Sequence, residues 1–575
     1  MSMNNMMGSP PSRSRGRDEK KKKRWKWKLG PATILGFELL ESIAFSGVAL
    51  NLVVYLATVL HGTLAFNAAH VDTWNGTTFI VPVIGAFLAD SYWGKYRTIL
   101  ASLLFYLAGL VLLTVSAAVP SLRPAPCTGV PCSPATGTQF SVFFLALYLT
   151  SIGTGGVKSA LLPFRAEQYE RDDHDTDQEG APAPEKTKQS FFSWFFGAIN
   201  LGIFVAGTLV SWVEQNVSWA LGFGIATLCL LIASAAFLAA TPCYRVRLPT
   251  GDTPIKAILR VLVAAFRNRT RTLPPDADGD GLYEVDDDKS KNGGDDEKLA
   301  HTEGLRWLDK AAVRVDGGGV WEVCTVSEVE RVKVLARIVP IWVTCVLYAA
   351  SLGQMTTTFI QQGMAMDTRV FRVPVASLVS VEVVFMLLWV LLHDVVVMPV
   401  ARRWWRSGGL TQLQRMGVGR VLVVVAMATA ALVERRRLRG EKRSMSILWQ
   451  VPQFVVLAGS DVFSGIAQLE FFYGEAPGSM RSICSAFSFL ALSLGFYVNS
   501  LVVTIVAAVT KRSDGSGGWL APGPGHGPPR LLLLALGPHQ PRQPRPLPAA
   551  RRPLQVQEAL ATTFFFSSLA TTTIA

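Results

Sequence analysis

Glu38 and Glu41 stand three residues apart in an otherwise apolar stretch, 32–60. That spacing puts both carboxylates on one face of a helix. Two carboxylates crowded together with little water resist double ionisation, so one can hold a proton at neutral pH. This is the chemistry that a proton-coupled step needs. Two further charges sit inside apolar stretches: Lys158, after the Gly-rich turn Gly153-Thr-Gly-Gly-Val, and Glu470, within Gly465-Ile-Ala-Gln-Leu-Glu-Phe-Phe-Tyr473. A charge at bilayer depth is costly and usually functional. A Lys from one half of the chain and a Glu from the other are expected to face one cavity at the midplane. There they would bind opposite ends of a solute, or each other when it is absent. The bland alternative is a fixed ion pair between the halves. His393 and Asp394 lie near the end of an apolar stretch and read as interfacial.

The elements that must position these groups are membrane spans. The 575 residues are 50% hydrophobic and only 17% charged, against about 25% charged in soluble domains. This excludes an ordinary soluble enzyme, a disordered chain and a disulfide scaffold. A spanning helix needs about 20 mostly apolar residues. Candidates lie near 32–60, 74–93, 98–120, 138–163, 190–212, 218–241, 332–360, 374–400, 416–433, 446–473 and 481–509. The expected organisation is a basic cytoplasmic N-terminus (1–29), a six-helix bundle (30–242), a cytoplasmic linker (243–330), a second bundle with five clear helices (331–519) and a Pro/Arg-rich tail (520–575). The fold class is an all-α multi-pass membrane protein of two six-helix bundles, its twelfth helix degraded or missing.

The net charge of +13 sits in short blocks rather than on one face, which argues against nucleic acid. Arg13 to Lys28 carries ten Lys/Arg and is placed inside by the positive-inside rule, as are 90–97, 243–271 and 401–415. The basic run 434–443 falls outside in this count and disagrees, unless part of it extends the preceding helix. Gly62 to His70 reads as an outside loop, and Cys127 and Cys132 share another, where a disulfide is feasible. The sequons at Asn75 and Asn216 lie too close to the membrane to make good acceptors. In the linker, 253–269 reads as a basic amphipathic helix on the membrane surface. The acidic run Asp276 to Gly281 imitates the start of a calcium loop but lacks its helical frame. Seven His and seven Cys show no metal spacing, and neither a nucleophile elbow nor a phosphate loop is present, so neither an enzyme nor a cofactor is expected.

Gly85-Ala-Phe-Leu-Ala-Asp-Ser-Tyr-Trp-Gly-Lys-Tyr-Arg97 resembles the loop between spans two and three of the major facilitator superfamily, where an Asp and basic residues form a cytoplasmic charge latch; here these are Asp90, Lys95 and Arg97. A narrower resemblance rests on several segments in order. They are Phe37-Glu-Leu-Leu-Glu-Ser42, Gly153 to Lys158, Ser190-Phe-Phe-Ser-Trp-Phe195 with Asn200-Leu-Gly202, Gly409-Leu-Thr-Gln-Leu-Gln-Arg-Met-Gly417, and Gln468-Leu-Glu-Phe-Phe-Tyr473 with Ala476-Pro-Gly-Ser-Met-Arg-Ser482. Together they resemble the plant nitrate/peptide transporter family, relatives of the proton-dependent oligopeptide transporters, over residues 28–520.

The resemblance implies proton-coupled symport of a small solute by alternating access, in the plasma or vacuolar membrane, with no obligate protein partner. The runners-up are an uncoupled facilitator, a ligand-binding receptor and an inactive product of a damaged gene. Its Glu-x-x-Glu-Arg/Lys signature maps to Glu38 and Glu41, with Ser42 in the basic place. That loss leaves the glutamates without a positive neighbour and puts coupling in doubt. Lys158 and Glu470 match substrate-binding and gating positions, and Gln354 and Asn51 join them as substrate-binding candidates. Phe45-Ser46-Gly47 stands where peptide-transporting relatives have Tyr-Tyr-Gly, and Leu352 where nitrate-transporting relatives have His, which weakens both readings. After Trp519 the resemblance stops. Gly537 to Pro548, rich in Pro and Arg, cannot span a bilayer. Back-translated and shifted by one base, 538–557 reads as an apolar helix with a basic-aromatic end, which points to a frameshift. Sequencing the transcript over this stretch tests that reading.

Overall fold

The structure is a computed structural model that describes residues 13–126, 133–168, 184–244, 246, 254–271, 282–283, 299–313, 321–369, 374–404, 409–439, 445–475 and 481–510. The candidate disulfide, the acidic run 276–281 and the tail lie outside the described residues.

The first half comprises α1 (Arg13–Thr58), α2 (Leu64–Leu88), α3 (Lys95–Ala118), α4 (Gly137–Glu167), α5 (Pro184–Val205), α6 (Ser211–Asn216) and α7 (Trp219–Ala239). The linker contributes α8 (Pro254–Arg267) and α9 (Arg306–Asp309). The second half comprises α10 (Val326–Thr356), α11 (Thr358–Met364), α12 (Leu378–Leu392), α13 (Met398–Trp404), α14 (Gln412–Arg439), α15 (Val451–Ser460), α16 (Ile466–Glu475) and α17 (Arg481–Thr510). Single π turns fuse α5 to α6, α12 to α13 and α15 to α16. Among the described residues, ten helical segments are long and apolar enough to cross a membrane.

α2 is not one of those ten, and it corrects the start of the expected span. It starts at Leu64, capped by Thr63, whose hydroxyl accepts from the Phe66 N–H at 3.3 Å, so most of the expected outside loop is helix. A π turn over Ala89–Trp93 carries the helix on to Trp93, the expected end of this span. Hydropathy misplaces it because its polar residues point inward: Asn67, Asp72, Asn75 and Thr78 are buried. Burial of Asn75 in the middle of this helix removes that sequon from reach of a glycan.

Gly153 to Lys158 is not a turn but the interior of α4. Its glycines form a flat face against α3 and α2. A Cβ on Gly153 would lie 2.5 Å from the backbone nitrogen of Tyr106, and one on Gly155 2.5 Å from Cβ of Val81. Small residues allow such close helix approach in membranes. Gly153→Val is expected to cost about 3 kcal/mol or more, because the clash is with backbone and not with a flexible side chain. Thermal unfolding of the purified protein in detergent checks this; an unchanged midpoint would refute the close-packing argument.

With the basic N-terminus inside, α2 runs inward and α17 outward. The hydrogen bonds that join the halves cluster in their outer portions. Asn499 donates to Asp72 at 2.6 Å, Ser493 to the Gly76 carbonyl at 2.7 Å and Ser500 to the Ala69 carbonyl at 2.8 Å. The Thr73 and Ser500 hydroxyls pair at 2.9 Å, as do those of Thr77 and Tyr497. Gln361 donates to the Leu64 carbonyl at 2.8 Å. The rings of Phe79 and Phe496 stack at 5.6 Å. These contacts form a seam between the halves.

The basic run after α14 is explained by helix extension. α14 continues to Arg439, Arg437 pairs with Glu434 at 2.6 Å, and the Arg436 guanidinium lies 4.1 Å from the Trp449 ring. An arginine paired within its own turn and another laid on an interfacial Trp weaken the topological vote of this run.

Candidate functional site

α1, α3, α4 and α5 build the first-half site. Glu41 is 1% exposed and Glu38 5%. The Thr154 hydroxyl donates to Oε1 of Glu41 at 2.8 Å, and the Tyr106 hydroxyl to the same oxygen at 3.2 Å. Lys158 extends from α4 with Nζ 3.8 Å from the centroid of the Phe45 ring. Glu38 interacts electrostatically with Glu41, Lys158 and Arg165.

Arg165 was missed by the sequence reading, and it corrects that reading. It is fully buried on α4, its guanidinium 4.2 Å from the Phe195 ring. Seven residues after Lys158, it shares that residue's helical face. The glutamates therefore do have positive neighbours, supplied by α4 rather than by position 42. Position 42 faces α5 at close range: a Cβ placed on Gly202 would be 2.5 Å from Cβ of Ser42.

Glu470 is not paired with Lys158. Its side chain is 45% exposed and pairs with Arg415 at 2.6 Å within the same half. Both line a cavity of about 460 Å³ with His393, Asp394 and Arg402. His393 Nδ1 is 2.9 Å from Asp394 Oδ1 in the π turn that joins α12 to α13. Inside the second half, Glu382 on α12 and Asp461 in the π turn between α15 and α16 are carboxylates that act on one another electrostatically. The Tyr348 hydroxyl donates to Asp461 Oδ1 at 2.5 Å, and Ser460 to the Tyr348 oxygen at 3.3 Å. The signal was present: Asp461 lies in the same apolar stretch as Glu470, nine residues earlier, and Glu382 interrupts the stretch 374–400.

Asn51 and Gln354 are each engaged in side-chain networks. Asn51 donates to Glu214 and accepts from Gln215 at 2.8 Å, within the first half. Gln354 donates to Asn499 and accepts from Thr358, which places it in the outer seam beside Asp72. Asp90 lies in the π turn that ends at Trp93, and Lys95 and Arg97 open α3. Gly94 between them has φ 76°, a conformation that favours glycine, so the motif's glycine is the hinge that turns the chain into α3.

In the linker, His301, Asp309 and Glu330 bring donor atoms within 4.8 Å of one another. The Lys333 ammonium already stands among these groups, 2.6 Å from Asp309 and 2.7 Å from Glu330, and it also donates to the Thr302 carbonyl at 2.6 Å. A resident cation of the protein's own answers these carboxylates.

The sequence pattern of the POT family (PTR2) matches residues 96–520. The chain belongs to the POT family. It is an integral multi-pass membrane protein of a transporter family. The NRT1/PTR family protein 8.3 of Arabidopsis thaliana is 41% identical over 508 residues, 85% of either chain. The family 8.5 protein of the same plant is 42% identical over 504 residues, 85% of this chain and 83% of its own. The fold is shared with the crystal structure of an auto-inhibited POT family peptide transporter, at TM-score 0.67 and 20% identity over 94% of this chain and 96% of the other. It is also shared with the POT family transporter PepTSo, at TM-score 0.64 and 18% identity over 95% and 98%. The family match ends at 520, where the Pro/Arg-rich tail begins.

In an alternating-access transporter the outer seam must open. Thr73→Cys with Ser500→Cys replaces two hydroxyls 2.9 Å apart. Oxidation is expected to join the pair and to stop uptake, with recovery on reduction. Full uptake in the oxidised, cross-linked protein would show that the seam is static.

Proposed function

We propose that this transporter is a proton-coupled symporter of a small zwitterionic solute, with short peptides as the first class to test. The observation that carries the reading is the buried carboxylate pair Glu38/Glu41, set beside Lys158 and Arg165 and hydrogen-bonded to α3 and α4. Proton arrival on this pair changes the charge balance against Lys158. A lysine released from its glutamate attraction is available to a carboxylate of the solute. The anionic Glu382/Asp461 cluster of the other half suits an ammonium group, so opposite ends of one solute engage opposite halves and favour closure around it. Relatives with solved structures include a POT family transporter in complex with 5-aminolevulinic acid and another with a peptide conjugate.

Uptake of nitrate, dipeptides and plant hormones by expressing cells, at acidic and neutral outside pH, tests the proposal. The expected result is dipeptide uptake stimulated by acid. Dipeptide uptake indifferent to pH overturns the coupling and leaves an uncoupled facilitator. Binding without flux overturns transport in favour of a receptor.

A further inference from the structure

α8 has two apolar faces, and the linker covers only one. Val261, Ala264 and Ala265 are buried in a small core with Leu282, Leu308, Ala311, Ala312 and Cys324. Leu259, Leu262 and Phe266 are 51%, 38% and 66% exposed. Their spacing of three and four makes them one stripe beside the buried one. Lys256, Arg267, Arg269 and Arg271 are exposed along the helix and the turn after it, and α8 carries no acidic residue. The Arg269 guanidinium lies 4.4 Å from the Phe266 ring, and Arg267 is 3.7 Å from Glu322.

The position of α8 says what meets this stripe. Ile258 packs both on the linker core and on the cluster of Leu335, Ile338, Met416, Phe471 and Phe472 at the cytoplasmic ends of α10, α14 and α16. α10 has 31 residues, more than the roughly 20 that a span requires, and its first turns carry Glu328, Glu330, Arg331, Lys333 and Arg337, charges costly at bilayer depth; α8 packs there, against Val329 and Val332. An apolar stripe held there and flanked by Lys256, Arg267, Arg269 and Arg271, with Glu322 the carboxylate beside Arg267, has the makeup of a helix that rests in an anionic lipid surface. Arg260 is turned away from this task, paired with Glu328.

We propose that the Leu259–Leu262–Phe266 stripe of α8 docks on anionic phospholipid of the cytoplasmic leaflet, tethering the linker to the membrane at the base of α10. The occupant is lipid and not a protein, because an apolar stripe bordered by bases and packed beside the spans matches the acyl chains and anionic headgroups of a leaflet. This inference is independent of the solute carried.

The test places a photo-crosslinking phenylalanine analogue at position 266 of the full-length chain, in nanodiscs of phosphatidylcholine alone or with phosphatidylserine. The expected result is a lipid adduct, severalfold more abundant with phosphatidylserine. The same analogue at the buried position 261 should give none. Arg267→Glu, Arg269→Glu and Arg271→Glu together should remove the preference for phosphatidylserine. Should that variant fail to fold, the comparison of the two lipid compositions in the chain with native bases decides alone. Equal adducts in both lipids, no lipid adduct, or an adduct with protein only would each overturn the proposal.

Discussion

Glu41→Gln is expected to abolish the acid stimulation of uptake while leaving the protein folded. The amide has nearly the volume of the carboxyl group, and its oxygen can still accept from Thr154 and Tyr106, which donate to Glu41 at 2.8 and 3.2 Å. Packing is thus preserved and only titration is lost. Uptake measured against outside pH should become flat at or below its neutral-pH level. A variant that keeps its full acid stimulation would sink the assigned role. Tyr106→Phe is the milder companion: it deletes one donor to Glu41 and should shift the pH profile without flattening it. The charge setting is what makes the result informative. Lys158 and Arg165 both act on Glu38, so removing a negative partner from this cluster alters the position of the lysine as well as the proton count.

Lys333→Met is expected to destabilise the linker more than any surface change in this chain. The ammonium is fully buried and meets Asp309, Glu330 and the Thr302 carbonyl within 2.7 Å. Removing one partner from such a network leaves uncompensated buried carboxylates, at a cost of about 3–5 kcal/mol. The damage should be local at first, since Thr302 is tied to Glu330 by two hydrogen bonds of 2.9 and 2.6 Å and to Arg337 by one of 2.5 Å. Limited proteolysis should cut within 299–313 far faster in the variant than in the native chain. Lys333→Met combined with Asp309→Leu and Glu330→Leu should recover much of the resistance, because an apolar replacement of a whole ionic cluster is often tolerated. Equal cleavage of the native chain and the single variant would mean that the cluster does not hold the linker.

The amino-acid sequence by itself determined the class of this protein. Apolar runs long enough to span a bilayer, divided by basic blocks, allow little besides a helical multi-pass chain, because backbone groups in lipid must be paired within each span. The Glu38/Glu41 pair and Lys158 were legible for the same reason: an ionisable group stands out where its neighbours are apolar. Long-range geometry decided the rest. Position 42 reads locally as a lost positive charge, yet Arg165, more than a hundred residues later, acts on Glu38. Glu470 reads as a midplane charge, but where it sits within its span depends on where the helix starts and which face turns to Arg415. α2 hides from hydropathy because its polar residues face partner helices, Asp72 and Thr73 those of the other half and Thr78 its neighbour α4. Which charge answers which, and which face of α8 is left uncovered, depends on contacts between residues far apart in the chain, and spacing along one strand of sequence carries no information about them.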